Sequence, residues 1–151
     1  MVDKKTFKKA FGAPLENLGL TKQGQSWYLD GRDSIVVVNL QKCDWNETYF
    51  MNIGIWLKAL GEASYPKYNH CHLYYRVESF FPEKSELILV SCSLEKSNQE
   101  KLTDLSKFIK NELVPFLQNC TNENYLKGLM TNGKLNDGFV FFEAREYLSK
   151  K

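Results

Sequence analysis

Two histidines, His70 and His72, carry the only imidazole side chains of the 151-residue chain. If they lie on a β-strand, their spacing projects both rings to the same side, which metal chelation requires. A third ligand is missing, because no carboxylate or thiol stands at a chelating offset and Cys71 faces away. A small enzyme or metal-binding protein centred on His70 and His72 is therefore the alternative hypothesis. The preferred prediction has no catalytic residue, no metal and no cofactor.

The four cysteines, Cys43, Cys71, Cys92 and Cys120, form no CxxC zinc or redox motif. Buried free thiols in a reducing cytosol are the expected state, and two disulfides in a secreted chain are the alternative. Residues 1–14 contain no apolar signal segment, so we predict a cytoplasmic protein. No apolar stretch approaches the ~20 residues that a membrane span needs.

Charge and length exclude several classes of protein. Twenty Lys and Arg residues against eighteen Asp and Glu residues give a formal net charge of +2. This charge is too small for the basic surface of most nucleic-acid-binding proteins. A chain of 151 residues supports one domain, so we predict a single domain over residues 1–151.

Segments rich in β-branched and alternating residues predict the strands that would position these side chains. Four segments have this character: residues 25–30, 33–43, 48–57 and 70–78. Residues 86–93 are ambiguous between strand and helix, and Ile88 and Val90 favour a fifth strand. The short connections between the first three strands favour an antiparallel meander.

Helical periodicity precedes and follows the strands. After a capping residue, Asp3, an apolar stripe consists of Phe7, Phe11, Leu15 and Leu18. Gly12 and Pro14 interrupt it and predict a kink or two short helices, and Gly19 is the expected stop. Ser97 and Glu100 form a capping box before a second stripe, which comprises Leu102, Leu105, Ile109, Leu113 and Phe116.

Pro115 is expected to end or kink this second helix. Two shorter helices follow, one capped by Thr121 and running through Met130, the other over residues 138–148. Residues 139–142 alone also resemble a strand. The whole pattern predicts an α+β domain: an antiparallel meander of four or five strands, with an N-terminal helix and C-terminal helices packed on it.

Alternate residues of a strand point to opposite faces of a sheet. One predicted face is almost wholly apolar and should contact the helices: Trp27, Leu29, Val36, Val38, Leu40, Met51, Ile53, Ile55, Leu57, Leu73, Tyr75 and Val77. The other, called here the second face, mixes amides, aromatics and a cation: Tyr28, Asn39, Gln41, Phe50, Asn52, Gly54, Trp56, His70, His72, Tyr74 and Arg76.

A face that only contacts water usually carries Lys, Glu and Thr, whereas rigid aromatics beside amides suit binding. Gly54 in mid-strand leaves room for a close approach to the backbone. In the alternative interpretation, the terminal helices cover this face and the amides are satisfied buried groups. An exposed aromatic face also suits a homodimer interface. The predicted ligand- or partner-binding residues are Tyr28, Asn39, Gln41, Asn52, Trp56, His72, Tyr74 and Arg76.

Part of the strand region resembles a bacterial family of uncharacterised domains, domain of unknown function 4304. The resemblance rests on Val38-Asn-Leu-Gln-Lys-Cys43, Trp45, Tyr49-Phe-Met-Asn-Ile-Gly-Ile55, Gly19-Leu20, Trp27, His72 and Arg76. It covers residues 7–80 and extends weakly into the helical half. The resemblance implies a cytoplasmic bacterial domain of about this length, and it implies no reaction.

The preferred functional prediction is a non-catalytic, cytoplasmic binding or interaction module. It would take a protein or a small polar ligand on the second face, with no membrane and no nucleic acid as partner. The alternative remains the enzyme or metal protein centred on the two histidines.

Overall fold

A computed structural model describes residues 1–150; Lys151, the last residue of the predicted domain, lies outside the described residues. The α-helices are α1 (Lys4–Asn17), α2 (Ser85–Ser91), α3 (Gln99–Phe108), α4 (Val114–Asn119), α5 (Glu123–Thr131) and α6 (Phe142–Ser149). The strands are β1 (Thr21–Gln23), β2 (Ser26–Asp30), β3 (Ser34–Lys42), β4 (Tyr49–Leu57), β5 (Leu73–Arg76) and β6 (Phe139–Val140).

One antiparallel sheet contains all six strands in the spatial order of their sequence, β1 to β6. The predicted α+β class, N-terminal helix and C-terminal helices are confirmed, but the predicted number of four or five strands is wrong. β1 was missed because its three residues are all exposed and polar, so no apolar alternation marks it. A turn at Gly24, whose φ is 63°, joins β1 to β2.

The sixth strand and the second helix correct two further predictions. Residues 139–140 pair with β5 as β6, so the last helix begins at Phe142 rather than at residue 138. Residues 86–93, predicted as a strand, lie mainly in α2. Ile88 and Cys92 are buried four residues apart while Leu89 is 59% exposed, which is helical rather than alternating periodicity.

α1 begins at the predicted cap, because the Asp3 carboxylate accepts a hydrogen bond from the backbone N–H of Thr6 at 2.7 Å. The helix continues through Pro14 as one element instead of splitting in two. Proline has no N–H to donate to the carbonyl of Ala10. The Ser106 hydroxyl of α3 donates to that carbonyl at 2.7 Å, so a contact between helices replaces the missing bond.

The start of α3 also differs from the prediction. The Asn98 side chain, not that of Ser97, accepts the hydrogen bond from the backbone N–H of Lys101 at 2.8 Å. Ser97 belongs to the preceding turn, where its N–H donates to the carbonyl of Ser93. Pro115 does not end the helical segment, because a wider π-helical turn, Ile109–Leu113, precedes it and leads into α4. Likewise, Asn122 rather than Thr121 caps α5.

The predicted apolar face forms the main core, together with buried residues of the helices. Eleven of its twelve residues are buried, and the remaining one, Leu29, is half-buried against the same core. Within residues 1–150, no helix combines the length and the apolar character required to cross a membrane.

Candidate functional site

Strand register places four polar side chains in one row across the second face. Ser26 pairs with Asn39, Asn39 with Asn52, and Asn52 with Arg76, on β2, β3, β4 and β5 respectively. Because directly opposite residues point to the same side of a sheet, these side chains are neighbours. Three of the four were predicted from sequence to bind a ligand or partner.

Hydrogen bonds connect this row and join it to Gln41. Asn39 donates through Nδ2 to the hydroxyl of Ser26 at 3.0 Å. Asn52 donates through Nδ2 to Asn39 Oδ1 at 3.2 Å and to Gln41 Oε1 at 3.1 Å. Asn52 is only 3% exposed, so its amide is a satisfied buried group.

Three donors converge on the side-chain carbonyl oxygen of Gln41. Besides Asn52, the Tyr68 hydroxyl donates to Gln41 Oε1 at 3.2 Å, and Arg76 Nη1 donates to it at 3.4 Å. Gln41 is exposed, and Tyr68 and Arg76 are half-buried. We call Gln41, Asn52, Tyr68 and Arg76 the donor cluster.

The guanidinium of Arg76 is held in place without an acidic partner. Its central carbon lies 4.1 Å from the centroid of the Phe50 ring, a cation–π contact. No ion pair within 4.0 Å joins Arg76 to a carboxylate anywhere in residues 1–150. A stacked guanidinium keeps its N–H groups pointing out in its own plane, so the arginine retains donors for another acceptor.

Neither terminal helix closes the middle of the second face; the loop between β4 and β5 does. A Cβ atom on Gly54 would lie 2.8 Å from both the Cα and the carbonyl oxygen of Tyr68. The close approach predicted at Gly54 is therefore made by the chain itself. Beneath this loop a small second core contains Tyr28, Ile35, Val37 and Cys71, with Trp56 and Tyr68 packed against it.

The same loop contacts and covers two of the predicted binding residues. Tyr28 is 7% exposed, and its ring lies 5.1 Å from that of Tyr65 in an edge-to-face contact. Trp56 donates through Nε1 to the carbonyl of Gly61 at 3.0 Å. The structure thus divides the second face into a covered part, with Tyr28 and Trp56, and an open part around the donor cluster.

The two histidines do not share a strand. His70 is exposed on a short 3-10 turn, and β5 begins only at Leu73, so the predicted strand over residues 70–78 is shorter. His72 is buried, accepts the backbone N–H of Leu57 through Nδ1 at 2.9 Å, and lies 4.4 Å from the Trp56 ring. Burial lowers the pKa of His72, partly opposed by Glu143. Residues 1–150 contain no group of three or more His, Cys, Asp or Glu side chains arranged to hold a metal ion.

The thiols are placed as buried groups rather than as nucleophiles. Cys71, Cys92 and Cys120 are buried and unpaired, and Cys43 is half-buried and also unpaired. Burial raises the pKa of Cys71 to about 12. Cys43 and His72 lie near opposite ends of the β3–β4 pair, roughly 25 Å apart at ~3.3 Å per residue. Cys43 and His72 therefore do not form the cysteine–histidine pair that nucleophilic catalysis would need.

An aromatic edge adjoins the donor cluster. Tyr74 stacks on Phe139 of β6 with ring centroids 4.8 Å apart and meets Tyr68 edge-on at 6.1 Å. Asn52, Tyr68, Tyr74, Arg76 and Phe139 line one shallow cleft of about 280 Å³, together with Asp137. Sequence reasoning missed Tyr68 and Phe139, because one lies in a loop and the other in a two-residue strand.

A larger concavity of about 680 Å³ lies elsewhere, between α1 and α3. It contains none of the eight predicted binding residues. Its lining includes three exposed lysines, Lys9, Lys107 and Lys110, around Ala13 and Leu102. Volume alone would favour this groove, whereas the donor cluster brings three donors onto one acceptor.

Comparison with known proteins gives one match. A family model described as "Domain of unknown function (DUF4304)" matches residues 11–119, well over half of the chain. The matched span includes all eight predicted binding residues and extends further into the helices than the sequence resemblance over residues 7–80. No curated protein and no solved structure matches the chain.

Proposed function

We propose that this chain, which belongs to the DUF4304 family of domains of unknown function, is a non-catalytic binding module. It takes a protein or a small polar ligand at the donor cluster, on the open part of the second face. The bacterial, cytoplasmic setting predicted from the sequence belongs to the same proposal. The observation that carries it is the convergence of Asn52, Tyr68 and Arg76 on the one side-chain oxygen of the exposed Gln41.

The cluster has the properties of a preorganised site. Its donors come from two strands and from a loop that the sheet holds in place, so little ordering is needed when a ligand binds. Asn52 is fixed by its bond to Asn39, and Arg76 is fixed by the Phe50 ring. The stacked rings of Tyr74 and Phe139 supply apolar contact area beside the polar groups.

The same geometry favours binding over the enzyme alternative. The donor cluster consists of hydrogen-bonding side chains, and it contains neither a histidine nor a thiol. The His72 imidazole uses Nδ1 for a backbone N–H and packs against Trp56, which supports a structural role.

Fragment mapping by NMR tests the proposal. A mixture of neutral and charged fragments is titrated into labelled protein while backbone and side-chain N–H signals are followed. We expect the shifts to concentrate on Arg76 Nε–H, the Gln41 side-chain amide and the backbone of Tyr74. In the Arg76→Ala variant the shifts at Gln41 and Tyr74 should be lost, whereas the exposed Arg32→Ala change should leave all the shifts unaltered. Shifts that concentrate in the α1–α3 groove instead would contradict the proposal.

A further inference from the structure

We infer that the ligand of the donor cluster carries a carboxylate, and that Gln41 Oε1 holds the carboxylate's place in the free protein. This inference rests on the proposed binding function and names the chemical class of its ligand.

Gln41 is a poor match for the donors around it. A side-chain carbonyl oxygen has two lone pairs, yet three donors approach this one, at 3.1, 3.2 and 3.4 Å. The longest of these contacts is the one from the cation, Arg76. A carboxylate offers two oxygens with about four acceptor positions, so it accepts all three donors at once. Its hydrogen bonds to a guanidinium are also charge-assisted and correspondingly stronger.

The charge around the cluster points the same way. Arg76 is half-buried, and no carboxylate within residues 1–150 pairs with it. A ligand carboxylate would therefore supply the missing counter-charge. Asp137 lines the cleft that Asn52, Tyr68 and Arg76 also line, which disfavours a second negative charge on the ligand.

Gln41 is able to leave. Its side chain is exposed, and it stands one residue before the end of β3, in contrast to the buried Asn52. When a flexible, solvent-exposed amide gives up its hydrogen bonds to protein groups, it forms hydrogen bonds to water instead, so the free-energy cost is small. Displacement would leave Asn52 bonded to Asn39 and Arg76 stacked on Phe50 around a vacated acceptor site.

Acetate, acetamide and inorganic phosphate test this assignment, each titrated at matched ionic strength while the Arg76 Nε–H signal is followed. We expect acetate to bind saturably and acetamide about tenfold more weakly or worse, since it lacks the charge. Phosphate that binds more tightly than acetate would overturn the carboxylate assignment. N-acetylphenylalanine that binds more tightly than acetate would identify a peptide terminus as the source, and equal affinity would identify a small free acid.

Two substitutions at one position separate this inference from its rivals. Gln41→Ala removes the internal occupant, so acetate should bind roughly threefold or more tightly. Gln41→Glu places a permanent carboxylate beside Arg76, so acetate binding should fall by about tenfold or more. Weaker or unchanged binding in Gln41→Ala, with the fold confirmed by unchanged core amide signals, would overturn the inference. If acetate fails but neutral fragments still map to the cluster, the binding function survives and only the ligand class is wrong.

Discussion

Replacing Gly54 by alanine should loosen the loop that covers part of the second face. The added methyl group would lie 2.8 Å from Tyr68 Cα, 2.8 Å from the Tyr68 carbonyl oxygen and 2.8 Å from Val37 Cγ1. Two of these atoms belong to the backbone, so no rotamer change relieves the overlap. Overpacking of this kind costs about 1–3 kcal/mol, and the gain from a stiffer unfolded chain offsets about 0.4–1 kcal/mol. We therefore expect a net loss of about 1–2 kcal/mol.

Thermal and urea unfolding measure this loss, which corresponds to a fall in Tm of roughly 2–8 °C for a domain of this size. Gly128→Ala is the matched control. A Cβ atom there meets nothing within 4 Å, and the residue lies inside α5. That variant should gain about 0.5–1 kcal/mol from helix propensity.

Thiol labelling gives a second readout of the loop. Cys71 is fully buried beneath it, so labelling should reach Cys71 faster in Gly54→Ala than in the unmodified protein. A Gly54→Ala protein as stable as the unmodified one, with Cys71 still protected, would refute the reasoning that the loop packs directly on the sheet.

Further predictions concern the helix contact and the buried imidazole. Ser106→Ala should lower the free energy of unfolding by about 1–2 kcal/mol, because it leaves the Ala10 carbonyl without a donor. The loss should be much smaller in a Pro14→Ala background, where residue 14 again has an N–H to donate to that carbonyl. Urea unfolding of the parent, the two single variants and the double variant measures this, and additive losses would contradict it. Burial lowers the pKa of His72, so the unfolded chain takes up its proton first. The contribution to stability should be complete above pH ~6.5 and decline as the pH falls below it. The free energy of unfolding, measured between pH 8 and 5, should decline less in His72→Gln than in the unmodified protein and should decline as before in His70→Gln. Equal pH dependence in the two variants would contradict the assignment of the decline to His72.

Much of the sheet could be predicted because period-two alternation sorts residues without knowledge of their partners. Every member of the predicted apolar face lies on the core side of the sheet, since a one-residue slip would expose the whole set. Gly54 was also predictable as a point of close approach. The residue that approaches Gly54 is Tyr68, and this could not be predicted, because loop residues have no periodic pattern that indicates where they pack.

The errors arose where local patterns compete with tertiary contacts. Pro14 should break a helix, but Ser106, far away in sequence, satisfies the freed carbonyl. Ser97 stands where the sequence predicts a helix cap, yet it lies in the turn after α2, where its N–H donates to Ser93. Asn98 caps α3 in its place. The convergence on Gln41 was visible only in part, because it needs a loop side chain as well as three strands in register.

The most direct test of the account is the state of the Arg76 guanidinium in the free protein. Its contacts with Phe50 and Gln41 should hold the group still, so that NMR resolves separate signals from its Nη hydrogens at low temperature. Arg32, whose side chain is 88% exposed, serves as the internal reference and should give averaged signals. Gln41→Ala should speed the rotation of Arg76 without changing Arg32. An Arg76 guanidinium that already rotates as freely as that of Arg32 would contradict the claim that a preorganised donor cluster exists.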